Sequence, residues 1–400
     1  MSKQLKGAVT YPKGFLASGV RAGIKQQGAD MALIASEVPA VAAGVFTTNV
    51  IKAAPVVLCS SRVPRQTAKA VIVNSGNANA CTGEQGMADA REMASETAKL
   101  LGVSEEDVFV ASTGVIGHAM PMDNIRAGIA DAVASLSAEG GSDAALAIMT
   151  TDTFPKQVIA EVSIGGKTIR IGGIAKGAGM ICPNVATMLS FITTDAAITP
   201  EMLQLALLRS AEVSYNCLTI DGDTSTNDTV ILLANGWAEN SIIDIEGPDF
   251  AAFQKALDSV TTSLARLIAT DGEGATKCVT VVVEGAKSYA DCRQIALTIA
   301  NSPLVKTALY GNDPNWGRVL AAAGRAGINF DPLETKLYFG ETLLLEAGEP
   351  VEFSAEAVST YLSGKEVNID LRVGNADAKA TVLTCDFSYD YVKINAEYHT

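Results

Sequence analysis

Histidine is nearly missing from this chain: His118 and His399 are the only two in 400 residues. A catalytic zinc site draws on two or three imidazoles with a carboxylate, and no HExxH string occurs, so no metal is expected. No GxSxG elbow is present either, which removes a Ser-His-Asp hydrolase of that type. Acyl chemistry on this chain would therefore proceed without histidine. Basic clusters are also lacking. Thirty Lys and Arg stand against 44 Asp and Glu, a formal charge of −14, whereas nucleic-acid binding rests on clustered cations; no nucleic-acid partner is expected. No window approaches 18 uninterrupted apolar residues, and the N-terminal MSKQLKGAVTYPKGF has no apolar signal core, so the reading is no membrane span and a cytoplasmic location. The seven cysteines are odd in number and scattered, with no CxxC pair. That pattern indicates neither a disulfide framework nor a structural zinc site.

What is present is a globular composition, 48% hydrophobic with 35 glycines, long enough for two domains or one large domain with an appendage. Helical spacing predicts helices over 87–101, ending at Gly102, and around the Ile125, Ile129, Val133, Leu136 stripe. Thr199-Pro200-Glu201 supplies an N-cap and an N1 proline for a helix reaching about Val213. Further helices are predicted over 250–268, 290–300 and 316–323. Strands are predicted at 70–73, 108–111, 158–164, 168–171, 188–193, 229–234, 279–283, 367–373 and 380–387, with Gly165-Gly166 as a tight hairpin. Hairpins mixed with helices imply α+β layers. A softer boundary is placed near Gly285, after which 285–400 would form a smaller domain.

The most unusual stretch is KGAGMICPNVATMLSFITTDA, Lys176 to Ala196. It reads as a loop entering a buried strand, with Thr187 an ordinary β-branched residue. It also reads as a self-processing site. A threonine hydroxyl needs a base, and a free α-amine on the same residue, reference pKa about 7.7–8.0, can serve. An internal threonine gains that amine only if the bond before it, here Ala186–Thr187, is cut. Residue physics leaves both readings open.

Other polar strings have two readings as well. NSGNANACTG (Asn74–Gly83) lines a polar pocket or makes a turn-rich loop. Ser112-Thr113-Gly114, after the 108–111 strand, offers a hydroxyl and a glycine N–H for an oxyanion, or simply a turn. DGDTSTNDT (Asp221–Thr229) resembles a metal loop in composition but lacks EF-hand spacing. Gly177-Ala178-Gly179 and Gly272 to Lys277 fall short of the dinucleotide and P-loop fingerprints. Cys182 is read as a packing residue.

Together with GVFTTN (Gly44–Asn49), STGVIG (Ser112–Gly117), TTDTFPK (Thr150–Lys156), DGEGATK (Asp271–Lys277) and GNDPNWGR (Gly311–Arg318), these strings make the chain resemble the ornithine acetyltransferases over essentially its whole length. That family comprises the bifunctional glutamate N-acetyltransferases and amino-acid N-acetyltransferases of arginine biosynthesis. The resemblance implies an αββα sandwich resembling the N-terminal nucleophile hydrolases, with a smaller C-terminal α/β domain. It implies self-cleavage into an α chain, 1–186, and a β chain, 187–400, that stay together as an α2β2 heterotetramer. It implies transfer of acetyl from N2-acetyl-L-ornithine to L-glutamate, by a ping-pong route through acetyl-Thr187. Thr113 and Gly114 match the family's oxyanion hole; Thr153, Lys176, Thr187, Glu273, Asn395 and Thr400 match its substrate-binding positions. No cofactor is implied. Acetyl-CoA is a second donor in bifunctional members, and no motif here separates them from members that only recycle. The competing readings are an N-terminal-nucleophile aminopeptidase or amidase, in which water resolves the acyl-enzyme, and a non-catalytic amino-acid-binding protein of the same fold.

Overall fold

The computed structural model describes residues 7–182 and 188–397. Ala186, Thr187 and Thr400 therefore lie outside the described residues. Among those described, two sheets organise the chain. The first is built from β1 (Phe15–Val20), β2 (Met31–Phe46), β3 (Arg65–Asn77), β4 (Val108–Val115), β5 (Lys156–Ile164), β6 (Lys167–Lys176), β7 (Leu189–Thr194) and β8 (Thr229–Ala234). Its order is β4-β3-β2-β8-β7-β6-β5, with β1 also on β2.

The long strand β2 links two layers. Its first part pairs with β1 and β3, and its last six residues pair with β8. The β2–β3 register breaks between Ala35 and Ala40, where Pro39 has no N–H to give to a ladder. On β7 and β8, Leu189, Phe191, Ile231 and Leu233 enter a core shared with β1–β4 and α1–α4 (Ala54–Ser60, Gly83–Leu101, Met122–Ala134, Gly141–Ala147). The alternating residues Ile192, Val230 and Leu232 face the opposite way, under α5 (Pro200–Val213) and α6 (Pro248–Thr270). Side chains that alternate at period two thus fill two cores, and the layers run helix, sheet, sheet, helix. The fold is α+β with an αββα sandwich, as the resemblance implies. Helix α6 buries Phe253, Leu257, Val260, Leu264 and Ile268 along one stripe, each contributing about 1.5–3 kcal/mol of apolar burial.

The second sheet is smaller: β9 (Cys278–Glu284), β10 (Lys336–Phe339), β11 (Thr342–Glu346), β12 (Glu349–Pro350), β13 (Glu366–Arg372) and β14 (Lys379–Cys385), in the order β12-β11-β10-β13-β9-β14. With α7 (Tyr289–Ala300), α8 (Pro303–Tyr310), α9 (Trp316–Gly324) and α10 (Ala355–Leu362) it encloses a third core. Strand β9 belongs to this sheet although it precedes Gly285. The last helix, α11 (Tyr389–Glu397), turns back towards the first sheet and packs so closely on Gly274 that a Cβ there would lie 2.4 Å from the Tyr391 nitrogen.

Two expectations change in detail. Ser112-Thr113-Gly114 does not follow its strand but lies within it, because β4 continues in parallel pairing with Asn74–Asn77 of an equally extended β3. The NSGNANACTG string accordingly divides into a strand end, a short link and the start of α2.

Candidate active site

Parallel pairing of β3 with β4 brings Gly76 against Gly114, whose φ is +134° and whose added Cβ would lie 2.3 Å from the Gly76 carbonyl carbon. Only glycine permits that approach. It fixes Thr113 and Gly114 in the wall of a cavity of about 260 Å³, which also takes in Lys176, Met180, Glu273 and Asn395. These come from distant parts of the chain: the end of β4, the end of β6, the link after α6, and α11. Four of the expected site residues, Thr113, Lys176, Glu273 and Asn395, thus share one cavity with Gly114.

The cavity has a polar lining. Lys176 is 4% exposed and its Nζ donates to Thr113 Oγ1 at 3.3 Å. Burial lowers the proton affinity of this ammonium, while Asp152, Glu273 and Asp228 raise it and Lys156 lowers it further. Asn395 Nδ2 donates to Glu273 Oε2 at 2.8 Å, tying α11 to the link. The Glu273 amide donates to the Ala178 carbonyl, and Gly179 leaves room for the Glu273 carboxylate, since a Cβ there would lie 2.3 Å from Oε2. Of the two glycines of GAG, Gly179 lines the cavity, and Gly177 gives its amide to Asp152.

The DGDTSTNDT string fastens the opposite wall. Asp221 accepts the Met180 and Ile181 amides at 2.6 and 2.8 Å, and Tyr391 O–H reaches the same carboxylate at 3.4 Å. Burial raises the Asp221 pKa against those amide bonds. Asn227 donates to the Ala78 and Ser112 carbonyls at 2.6 and 2.7 Å, joining this loop to NSGNANACTG and to β4. No cluster of potential metal ligands occurs among the described residues. No helix among them is long and apolar enough to cross a membrane. Half-buried Cys182 packs against the second core.

Thr153 is placed elsewhere. Its hydroxyl and amide bond to Asp271, in an adjacent cavity that also contains Phe154 and Lys393, while Thr150 and Thr151 line the first cavity. The reason is a buried ion triad. Lys156 Nζ contacts Asp152 Oδ1 and Asp271 Oδ2 at 2.6 Å each, with all three side chains at most 3% exposed. Burial opposes ionisation of Asp152, but Lys156, Lys176 and the Gly177 N–H hold its pKa down at about 2. The triad turns the Thr153 segment towards Asp271.

Asp152, Asp221, Asn227, Asp228 and Tyr391 are site residues that sequence reasoning missed. The first four stand inside strings already notable for their polarity, and for the three aspartates a carboxylate beside buried apolar strands was the available signal. Tyr391 carried none.

With this geometry in view, the profile of the ArgJ family matches residues 16–400. The Arginine biosynthesis bifunctional protein ArgJ of Symbiobacterium thermophilum is 53% identical over 399 residues, 99% of each chain. That of Geobacter sulfurreducens is 50% identical over 392 residues, 97% of this chain and 99% of the relative. The crystal structure of the Bacillus halodurans Arginine biosynthesis bifunctional protein argJ superposes with a TM-score of 0.52 at 43% identity, covering 53% of this chain and 100% of that one.

Proposed function

Because this chain belongs to the ArgJ family, we propose that it transfers acetyl from N2-acetyl-L-ornithine to L-glutamate through Thr187, after cutting its own backbone between Ala186 and Thr187. The observation that carries this reading is the convergence of Thr113, Gly114, Lys176, Glu273 and Asn395 on one cavity.

In the transfer, the Thr187 α-amine takes the hydroxyl proton as Oγ bonds to the acetyl carbonyl carbon. The Thr113 hydroxyl and the Gly114 N–H are the donors for the resulting oxyanion, a contribution of about 10²–10³ in rate when one donor is lost. The C–N bond to ornithine then breaks, and the proton leaves on the ornithine amine. Glutamate's amine attacks the acetyl ester in the reverse sense, releasing N-acetyl-L-glutamate and restoring Thr187. Lys176 pairs with a substrate carboxylate, and Glu273 with a substrate ammonium.

The two fragments stay paired after cutting because they share one sheet. Strand β6, before the cut, pairs with β7, after it, and β2 pairs with β8. The Lys156–Asp271 contact also joins the two sides. The Bacillus halodurans chain, matched in full by 53% of this one, has the extent that a 187–400 fragment would have. An α2β2 assembly is the state we assign to the pair, and acetyl-CoA the second donor to be assayed, since the relatives are called bifunctional.

Intact-mass spectrometry tests the proposal. The wild type gives two fragments whose masses correspond to 1–186 and 187–400, whereas Thr187→Ala gives one inactive chain. A wild type that remains whole yet transfers acetyl at full rate would overturn it. Hydrolysis of N-acetylornithine unaffected by glutamate would instead favour the amidase reading.

A further inference from the structure

Both substrates of the proposed transfer offer an α-nitrogen to the acetyl group with an α-carboxylate beside it, and they differ at the far end. N2-acetyl-L-ornithine ends in an ammonium, and L-glutamate ends in a second carboxylate. One cavity therefore receives opposite charges at successive steps, and the acceptor brings one more anion than Lys176 alone pairs with. Among the described residues the lining supplies carboxylates for the ammonium, in Glu273 and Asp223, but Lys176 is its one cation. Lys25, on the link between β1 and β2, stands beside that lining with a second positive charge.

A buried carboxylate fixes this link. Asp30 is 0% exposed and accepts the Ala22, Ile24 and Lys25 amides at 2.5, 2.6 and 2.9 Å, while its carbonyl accepts the Ser75 amide of β3. The Lys25 stem lies over Gly76, where a Cβ would come within 2.8 Å of its Cγ, and Gly76 is the residue that faces Gly114. Lys25 is half-buried, and its Nζ donates to the Met149 carbonyl at 2.9 Å, next to Thr150 and Thr151 of the cavity lining. Two separate contacts thus bring the ammonium to the cavity edge. Burial lowers its proton affinity, Asp30 and Asp152 raise it, and Lys176 lowers it. No carboxylate among the described residues forms an ion pair with it, whereas two aspartates hold Lys156. A neutral carbonyl is a weaker partner for an ammonium than a carboxylate is, so an incoming carboxylate can take its place.

We propose that Lys25 selects the acceptor, pairing with the side-chain carboxylate of L-glutamate while Lys176 holds the α-carboxylate; this rests on the transfer reading above. In the first half of the reaction the ornithine ammonium pairs with the lining carboxylates, and Lys25 stays on the Met149 carbonyl. In the second half the glutamate side chain draws the Lys25 ammonium off that carbonyl. No covalent step falls to Lys25. Its charge decides which amine is presented to the acetyl ester.

The test measures kcat/KM of the purified enzyme for L-glutamate and for L-glutamine, which has the same length and no side-chain charge, with N2-acetyl-L-ornithine as donor. Donor use is followed separately, as exchange of labelled L-ornithine into N2-acetyl-L-ornithine without glutamate. Lys25→Met keeps the stem over Gly76 and removes the charge. It is expected to lower kcat/KM for glutamate about 10–100-fold, the range for losing a hydrogen bond to a charged group. Glutamine use and the exchange reaction are expected to stay close to wild type, and Lys25→Arg to keep most of the preference for glutamate. Equal losses for both acceptors, or a glutamate preference that survives in Lys25→Met, overturns the assignment and leaves the transfer reading standing. A wild type that shows no exchange removes both. Should Lys25→Met not fold, Lys25→Gln, which can still donate to the Met149 carbonyl, carries the same comparison.

Discussion

Replacing Lys156 by methionine removes the ammonium that contacts two buried carboxylates, and the structure sets the size of the effect. Each Asp oxygen lies 2.6 Å from Lys156 Nζ, a contact worth about 6 kcal/mol at an effective dielectric constant of about 20. Because both contacts share one nitrogen, the two oxygens are at most about 5 Å apart, and their repulsion without the cation is about 3 kcal/mol on the same scale. Desolvation cancels much of the attraction in the intact triad, so the net destabilisation expected for Lys156→Met is about 3–5 kcal/mol at pH 7. The sign with pH follows from Asp152. Its pKa in the folded protein is depressed to about 2, so its stabilisation is present above the unfolded value of about 3.9 and is lost as pH falls through about 2. Without Lys156, burial of Asp152 is opposed only by Lys176 and the Gly177 N–H, and its carboxyl takes up a proton more readily. The deficit of the variant is therefore largest at neutral pH and shrinks on acidification as a carboxyl takes up a proton. Urea unfolding followed by circular dichroism at pH 7 and pH 4.5 measures it, and adding Asp152→Asn and Asp271→Asn to the variant restores part of the loss. Equal unfolding midpoints at pH 7, or a deficit that grows on acidification, would refute the reasoning.

Thr113→Val, which removes only a hydroxyl, lowers kcat by about 10²–10³ while KM and thermal stability stay close to wild type; a kcat within threefold would take Thr113 out of the oxyanion hole. Gly114→Ala inserts a Cβ 2.3 Å from the Gly76 carbonyl carbon at a φ of +134°. It costs at least about 1–3 kcal/mol by strain, read as a lower thermal midpoint together with lost activity. A variant as stable as the wild type would show that β3 and β4 have slack at this point.

The α+β character was legible where local signals were strong, while the αββα layering came from the resemblance. Thr199 does cap α5, accepting the Met202 amide; Gly102 does close α2 at φ +68°; and Gly165-Gly166 does join β5 to β6. Strand β2 was missed because its residues are small and buried on both sides, so MALIAS and AVAAG show no alternation. Helix α11 was missed because it buries none of its own residues fully, so no apolar stripe marks it. The site showed a similar division. The strings around Thr113, Lys176 and Glu273 were visible as unusual polar or glycine-rich segments, and resemblance to a family gave them roles.

The sequence by itself determined which residue types are available for chemistry. Histidine is scarce and no metal-ligand pattern occurs, and it was the resemblance to a family that singled out a threonine released by chain cleavage as the candidate nucleophile. The sequence also determined the local punctuation, since caps, hairpin glycines and periodicity act over a few residues. Only the tertiary structure decided who meets whom. The short segment from Asp152 to Lys156 gave no hint that Lys156 would reach Asp271, more than a hundred residues on. Nor could the string NDT reveal that Asp228 would be buried against the Met188 amide. Such contacts depend on the parallel register of β7 with β8 and on the bend in β2. Both are set by long-range packing of two cores rather than by neighbours along the chain.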